Sequence, residues 1–96
     1  MSPINKNKLN ILRIKLDKLD NELLKLIKKR SNLVNNVLKV KTQKKEIIDQ
    51  KRINFILKKI KIKSIQLKID PRITNRIWKN MIWSFINYEK RNFKKK

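Results

Sequence analysis

A long stripe of apolar residues in the first half of the chain is the feature that most constrains its fold. Apolar residues lie at positions 9, 12, 16, 19, 23, 26, 33, 37 and 40. Steps of three and four residues are typical of one face of an amphipathic helix. The stripe has one gap, where Arg30 lies midway between Leu26 and Leu33. The spacing predicts a single helix over residues 7–42, roughly 50 Å long at a helical rise of about 1.5 Å per residue.

The predicted length of this helix bears on the oligomeric state. A compact domain of 96 residues is narrower than such a helix, so we expect the apolar stripe to pack against a second chain. Two shorter helices are predicted over 47–66 and 70–91, after a connection at 42–46 and before a basic tail at 92–96. Asp70 suits the N-cap of the last helix and Pro71 suits its first position. The chain is therefore predicted to be all-α, with one long and two shorter helices in a single domain over 1–96.

The composition excludes several kinds of chemistry. The chain has neither cysteine nor histidine, which excludes disulfides, thiol nucleophiles, a histidine base and a structural zinc site. The opening residues MSPINKNK lack the apolar segment of a secretory signal. No apolar run approaches the roughly 20 residues that a bilayer span requires. We therefore expect a cytoplasmic protein that makes no use of a membrane.

The net charge of +21 points first at nucleic acid. Lysine, isoleucine and asparagine, however, fill half of the sequence, while glycine and alanine are absent. This composition resembles that imposed by an AT-rich genome, which loads lysine onto every solvated face. The charge alone therefore predicts only non-specific binding to nucleic acid. The chain has only six arginines against 22 lysines. The arginines are therefore the better candidates for a specific role, because arginine offers a planar, bidentate fork for carboxylates.

Polar side chains lie on or beside the apolar faces of all three predicted helices. Lys41 follows Arg30 by 11 residues, which places the two only about 20° apart around a helix. Taken alone, Arg30 could extend to solvent and Lys41 could be an ordinary surface lysine. Further candidate residues lie on the other two predicted helices. They are Asp49, Arg52 and Ile53 on one face of the second helix, and Ser84 and Tyr88 beside Ile73, Ile77 and Met81 on the third.

The order of these residues forms a longer pattern. It begins as Leu12-Arg13-x3-Asp17-x2-Asp20-x2-Leu23-Leu24-x5-Arg30-x6-Val37-x3-Lys41 and continues through Ile48-Asp49-x2-Arg52 and Asp70-Pro71-x-Ile73 to Ser84. Over residues 9–88 this order resembles the all-helical class of chorismate mutase. The resemblance implies an intertwined homodimer that converts chorismate to prephenate by an intramolecular Claisen rearrangement, in aromatic amino-acid biosynthesis. It implies no metal and no other cofactor.

The resemblance also assigns roles to residues. Chorismate carries two carboxylates, of which Arg30 would bind one and Arg13, supplied by the partner chain, the other. Lys41 would be the main donor to the breaking ether oxygen. Asp49 would hold the region of the substrate hydroxyl, Arg52 would position polar groups, and Ser84 would lie near a carboxylate.

Two positions depart from the family pattern. Ile53 stands where the family usually has a glutamate that accepts a hydrogen bond from the substrate hydroxyl. Tyr88 stands four residues after Ser84, where the family has glutamine or glutamate as the second donor to the ether oxygen. A phenol can donate a hydrogen bond, so we expect Tyr88 to share catalysis with Lys41 and Arg30.

Three alternatives stay open at this point. The departures at Ile53 and Tyr88 would also suit a catalytically degenerate homologue. A small basic helical dimer that binds nucleic acid is a second alternative, and it predicts tight binding that falls steeply with salt. A structural coiled coil is a third, but Arg30 within the stripe and the two shorter helices fit it poorly.

Overall fold

The computed structural model describes residues 2–94. It contains helix α1 over Pro3–Val40, helix α2 over Gln50–Gln66 and helix α3 over Pro71–Asn92, with a 3₁₀ turn at Lys44–Ile47 between α1 and α2. No strand occurs in this part of the chain, and the predicted all-α fold is confirmed. Lys95 and Lys96, at the end of the predicted basic tail, lie outside the described residues, as does Met1.

Helix α1 begins four residues before its predicted start at residue 7. Ser2 is the reason, because its hydroxyl oxygen accepts a hydrogen bond from the backbone N–H of Asn5 at 3.2 Å. Pro3 follows as the first helical residue, where its fixed φ is favourable and its missing N–H costs nothing. A serine cap followed by proline thus adds a turn of helix before the apolar stripe begins.

The connection between α1 and α2 is more ordered than its sequence suggests. Oε1 of Glu46 accepts hydrogen bonds from the hydroxyl of Thr42 at 2.9 Å and from the backbone N–H of Gln43 at 2.9 Å. These two bonds hold the pKa of Glu46 below its ordinary value. Helix α2 then begins at Gln50, three residues later than predicted, because Asp49 is its N-cap.

The turn between α2 and α3 places a lysine in a left-handed conformation. Lys68 has φ 59°, and its N–H donates to the carbonyl of Ile65 at 3.1 Å, while the N–H of Ile69 donates to the carbonyl of Ser64 at 2.8 Å. This pair of bonds is the Schellman arrangement, which usually has glycine at the left-handed position. The sequence contains no glycine, so Lys68 adopts this conformation at a steric cost.

Helix α3 begins as the sequence predicts, with Asp70 as its cap and Pro71 as its first residue. The Asp70 carboxylate accepts hydrogen bonds from the guanidinium of Arg72, the shortest at 2.8 Å, and from the Arg72 backbone N–H at 3.0 Å. Both interactions hold the pKa of Asp70 below its ordinary value. The carboxylate is therefore ionised at neutral pH, which suits the positive end of a helix dipole.

The chain divides into two compact units, the first ending at Leu33 and the second beginning at Val34. None of the described residues of the first unit is buried. Six of the seven leucines of the apolar stripe are between 54% and 64% exposed, namely Leu12, Leu16, Leu19, Leu23, Leu26 and Leu33. The seventh, Leu9, is half-buried. Helix α1 therefore presents its predicted packing face to solvent in the single chain.

The second unit contains the hydrophobic core. Ile47, Ile53, Ile82 and Ile86 form the buried cluster, with Ile56, Leu57 and Phe93 packed against it. The hydroxyls of Ser64 and Thr74 form a buried hydrogen bond of 2.6 Å that joins α2 to α3. No helix among residues 2–94 has both the length and the apolar composition needed to cross a membrane.

The buried face of α3 differs from the face that the sequence indicates. Of the predicted set, Ile73, Ile77 and Ser84 are exposed, while Met81 and Tyr88 are only half-buried. The buried residues of α3 are Thr74, Ile82, Ile86 and Glu89. Helix α3 is thus turned so that the neighbouring stripe faces the core of the second unit.

Candidate active site

An ion pair joins the end of α1 to α3 within the second unit. The ammonium nitrogen Nζ of Lys41 donates to Oε1 and Oε2 of Glu89, at 3.1 and 3.4 Å. The side chains are 16% and 7% exposed, so the pair is largely removed from solvent. A charged pair in such a place interacts more strongly than one on the surface, and each charge depends on the other for its stability.

The position of Glu89 follows from the packing of α3. Ile82, Ile86 and Glu89 are spaced i, i+4 and i+7, which places them on one face of a helix. The two isoleucines belong to the core and thereby direct the Glu89 carboxylate inward. A buried carboxylate requires a partner, and Lys41 provides it. The family pattern in the sequence does not single out Glu89, although its spacing from Ile82 and Ile86 is a signal for an inward-facing carboxylate.

Tyr88 contacts a residue of α1. Its hydroxyl donates to Oδ1 of Asn35 at 2.7 Å, in a half-buried contact between α3 and α1. The residue opposite Lys41 is Glu89, the next residue of α3 and about 100° further around the helix. The structure thus places Glu89, and not Tyr88, opposite Lys41, because the core contacts of Ile82 and Ile86 set the rotation of α3.

The three predicted residues at the start of α2 are not brought together on one surface. The carboxylate of Asp49 accepts a hydrogen bond from the backbone N–H of Arg52 at 3.0 Å and caps the helix. The guanidinium of Arg52 is exposed and lies 5.4 Å from the centroid of the Phe55 ring, within the range of a cation–π contact. Ile53 is 6% exposed and belongs to the core.

The remaining predicted residues occupy separate places. Ser84 is exposed on α3, away from the buried face that carries Glu89. Arg13 and Arg30 both lie in the first unit, where Arg13 is exposed and Arg30 is half-buried. Their 17-residue separation corresponds to about 25 Å along the axis of α1. One chain therefore cannot direct both guanidinium groups at the same small molecule.

Comparison with known proteins shows the family of this all-helical chain. A family profile described as chorismate mutase type II matches residues 12–90. The chain belongs to this family. It is accordingly an isomerase that rearranges chorismate to prephenate, a reaction of aromatic amino-acid biosynthesis. No curated protein and no solved structure matches the chain. Among residues 2–94 no cluster of acidic side chains could hold a metal ion.

Proposed function

We propose that the enzyme works as a homodimer whose two active sites each take residues from both chains. Two observations support this arrangement. The stripe on α1 leaves six leucines more than half exposed, and a contiguous apolar surface of this kind usually marks an interface. Arg13 and Arg30 are also too far apart on α1 for one chain to bind both carboxylates of chorismate.

A second copy of the chain is a suitable partner for the stripe. It carries the same leucines at the same spacing, and a twofold axis pairs identical surfaces with one another. Full burial of one leucine side chain contributes about 1.5–3 kcal/mol, so pairing the six leucines would favour association strongly. An antiparallel pair of α1 helices would bring Arg13 of one chain towards Arg30 of the other.

Arginines would bind the two carboxylates of the substrate in this arrangement. A guanidinium can form two parallel hydrogen bonds to one carboxylate, which fixes its orientation as well as its position. Arg30 would hold one carboxylate and Arg13 of the second copy the other. Holding both ends of the molecule would favour the compact conformer in which the bond-forming atoms lie close together.

Lys41 would stabilise the ether oxygen, which gains negative charge as its bond to carbon breaks. Its side chain is held by Glu89 and shielded from solvent, so the donor is positioned before the substrate arrives. Glu89, and not Tyr88, would be the second residue beside this oxygen, and its carboxylate would act by holding the Lys41 ammonium in place.

Placing Glu89 in this role moves the family pattern along α3 by one residue. The position four residues before Glu89 is Phe85, which is half-buried, whereas Ser84 is exposed. We therefore assign the substrate-facing position to Phe85 in place of Ser84. Ile53 belongs to the core and supplies no hydroxyl acceptor, while Asp49 would lie near the substrate hydroxyl and Arg52 would be a positioning group.

The measurement that tests this site is the loss of chorismate absorbance with purified protein. Lys41→Ala should lower kcat by about a hundredfold or more, as removal of one preorganised donor does in other enzymes. Lys39→Ala is the matched control, because Lys39 lies two residues earlier and is exposed. It should leave the rate unchanged.

Wild-type protein that folds but converts no chorismate would instead favour the catalytically degenerate homologue. Tight nucleic-acid binding with a steep salt dependence would then favour the basic dimer. For the active enzyme we propose a single domain over 1–96, located in the cytoplasm, where its small-molecule substrate is dissolved.

A further inference from the structure

Two adjacent residues of α3 form bridges to the end of α1. Tyr88 donates to Asn35 at 2.7 Å, and Glu89 accepts from Lys41 at 3.1 Å. Asn35 and Lys41 are six residues apart, or about 9 Å at the rise of an α-helix. The two bridges therefore contact α1 at positions well separated along its axis, although they start from neighbouring positions on α3.

We propose that Tyr88 and Asn35 are a positioning pair that sets the direction of the Lys41 side chain. This inference rests on the proposed role of Lys41 as donor to the ether oxygen. Lys41 lies one residue beyond the end of α1, where the backbone has lost most of its helical hydrogen bonds. A long lysine side chain at a helix end has many conformers, and ordering it costs conformational entropy.

The geometry explains why a second bridge is needed. The Lys41–Glu89 contact alone would leave the last turns of α1 able to rotate about α3, with the ion pair following the rotation. The Tyr88–Asn35 bond holds α1 at a second point, about 1.7 turns earlier, and removes this freedom. Leu38 lies between Asn35 and Lys41 in the sequence and is 8% exposed.

The same unit contains a matched control. The Ser64–Thr74 hydrogen bond is also a side-chain contact between helices, with a length of 2.6 Å. It joins α2 to α3 and involves neither α1 nor Lys41. If the Tyr88–Asn35 hydrogen bond only stabilised the fold, its loss would have the same kind of effect on stability and kcat as the loss of the Ser64–Thr74 hydrogen bond.

The test compares Tyr88→Phe, Asn35→Leu, the double variant and Thr74→Val. For each variant we measure kcat, KM and the midpoint of urea unfolding. The kinetics are measured at a temperature at which circular dichroism shows the variant to be folded. We expect each single change at the pair to lower kcat on the order of tenfold, less than the roughly hundredfold loss that a 1 Å misplacement can cause. The double variant should be no slower than the slower single variant, because both changes remove one interaction. Thr74→Val should lower the urea midpoint and leave kcat unchanged.

Two results would overturn the inference. The first is an unchanged kcat in both Tyr88→Phe and Asn35→Leu while Lys41→Ala is inactive, which would leave the proposed site intact without a positioning pair. The second is a fall in kcat that is proportional to the fall in the urea midpoint in all variants, including Thr74→Val. This result would show that the Tyr88–Asn35 contact has only a structural role. Full activity of Lys41→Ala would refute the proposed site itself, and the positioning role with it.

Discussion

Lys41 and Glu89 are 48 residues apart in the sequence, and the ammonium of Lys41 lies 3.1 and 3.4 Å from the two carboxylate oxygens of Glu89. Neither side chain would be stable in this place alone, because a charge largely removed from solvent requires a partner. The pair thus connects the stability of the second unit to the proposed chemistry. A change at Glu89 should affect both, and the choice of replacement should separate them.

Glu89→Gln should preserve catalysis better than Glu89→Ala. The glutamine side chain keeps an oxygen that accepts a hydrogen bond from the Lys41 ammonium, whereas alanine removes this partner. Glu89→Ala should lower kcat and also destabilise the fold, by about 1–3 kcal/mol, because it leaves the Lys41 ammonium without its partner. Steady-state kinetics and urea unfolding measure the two effects. An inactive but folded Glu89→Gln variant would show that the negative charge of Glu89 is needed.

Arg30→Ala should lower activity much more than stability. The loss of a charge-assisted, bidentate contact to a substrate carboxylate should reduce kcat/KM by about 10- to 100-fold. Arg30→Lys should also be impaired, because an ammonium cannot reproduce the planar fork. Steady-state kinetics and the urea midpoint of each variant provide the comparison. Unfolding of Arg30→Ala, together with normal activity of Arg30→Lys, would indicate a structural role.

The core position of Ile53 leads to a prediction opposite to the one that the family pattern alone suggests. If the side chain at position 53 faced the substrate, a glutamate there would restore the usual acceptor for the substrate hydroxyl and would raise kcat. Ile53 is 6% exposed among Ile47, Ile82 and Ile86, so Ile53→Glu should instead destabilise the fold by about 3 kcal/mol. Ile53→Val is the control and should cost about 1 kcal/mol. A stable Ile53→Glu variant with higher kcat would show that this side chain reaches the substrate.

The left-handed residue between α2 and α3 offers a stabilising change. Lys68→Gly should raise the free energy of unfolding by about 0.5–1 kcal/mol, because relief of the steric cost exceeds the added flexibility of the unfolded chain. Lys61→Gly, at an exposed position inside α2, should lower it by about 1 kcal/mol. Urea unfolding of the two variants shows whether the free energy of unfolding rises in Lys68→Gly and falls in Lys61→Gly. Destabilisation by both changes would mean that Lys68 makes contacts that outweigh its strain.

Local signals in the sequence were sufficient for most of the fold. The periodic stripe predicts α1, and Asp70 followed by Pro71 predicts where α3 begins. The site depended on information that is not local. Tyr88 and Glu89 are neighbours in the sequence, and only the packing of Ile82 and Ile86 decides which of them faces Lys41. Asp49 likewise has a carboxylate suitable for a ligand, but in the single chain it caps α2.

In the proposed dimer each active site combines Arg13 of one chain with Lys41 of the other. This arrangement is tested by mixing an Arg13→Ala protein with a Lys41→Ala protein, each inactive alone, after denaturation and joint refolding. A mixed dimer would contain one site with both changes and one with neither, so with random pairing about a quarter of wild-type activity should return. Native mass spectrometry establishes that mixed dimers have formed. Mixed dimers without any recovered activity would place Arg13 and Lys41 in the same site from one chain and contradict the account.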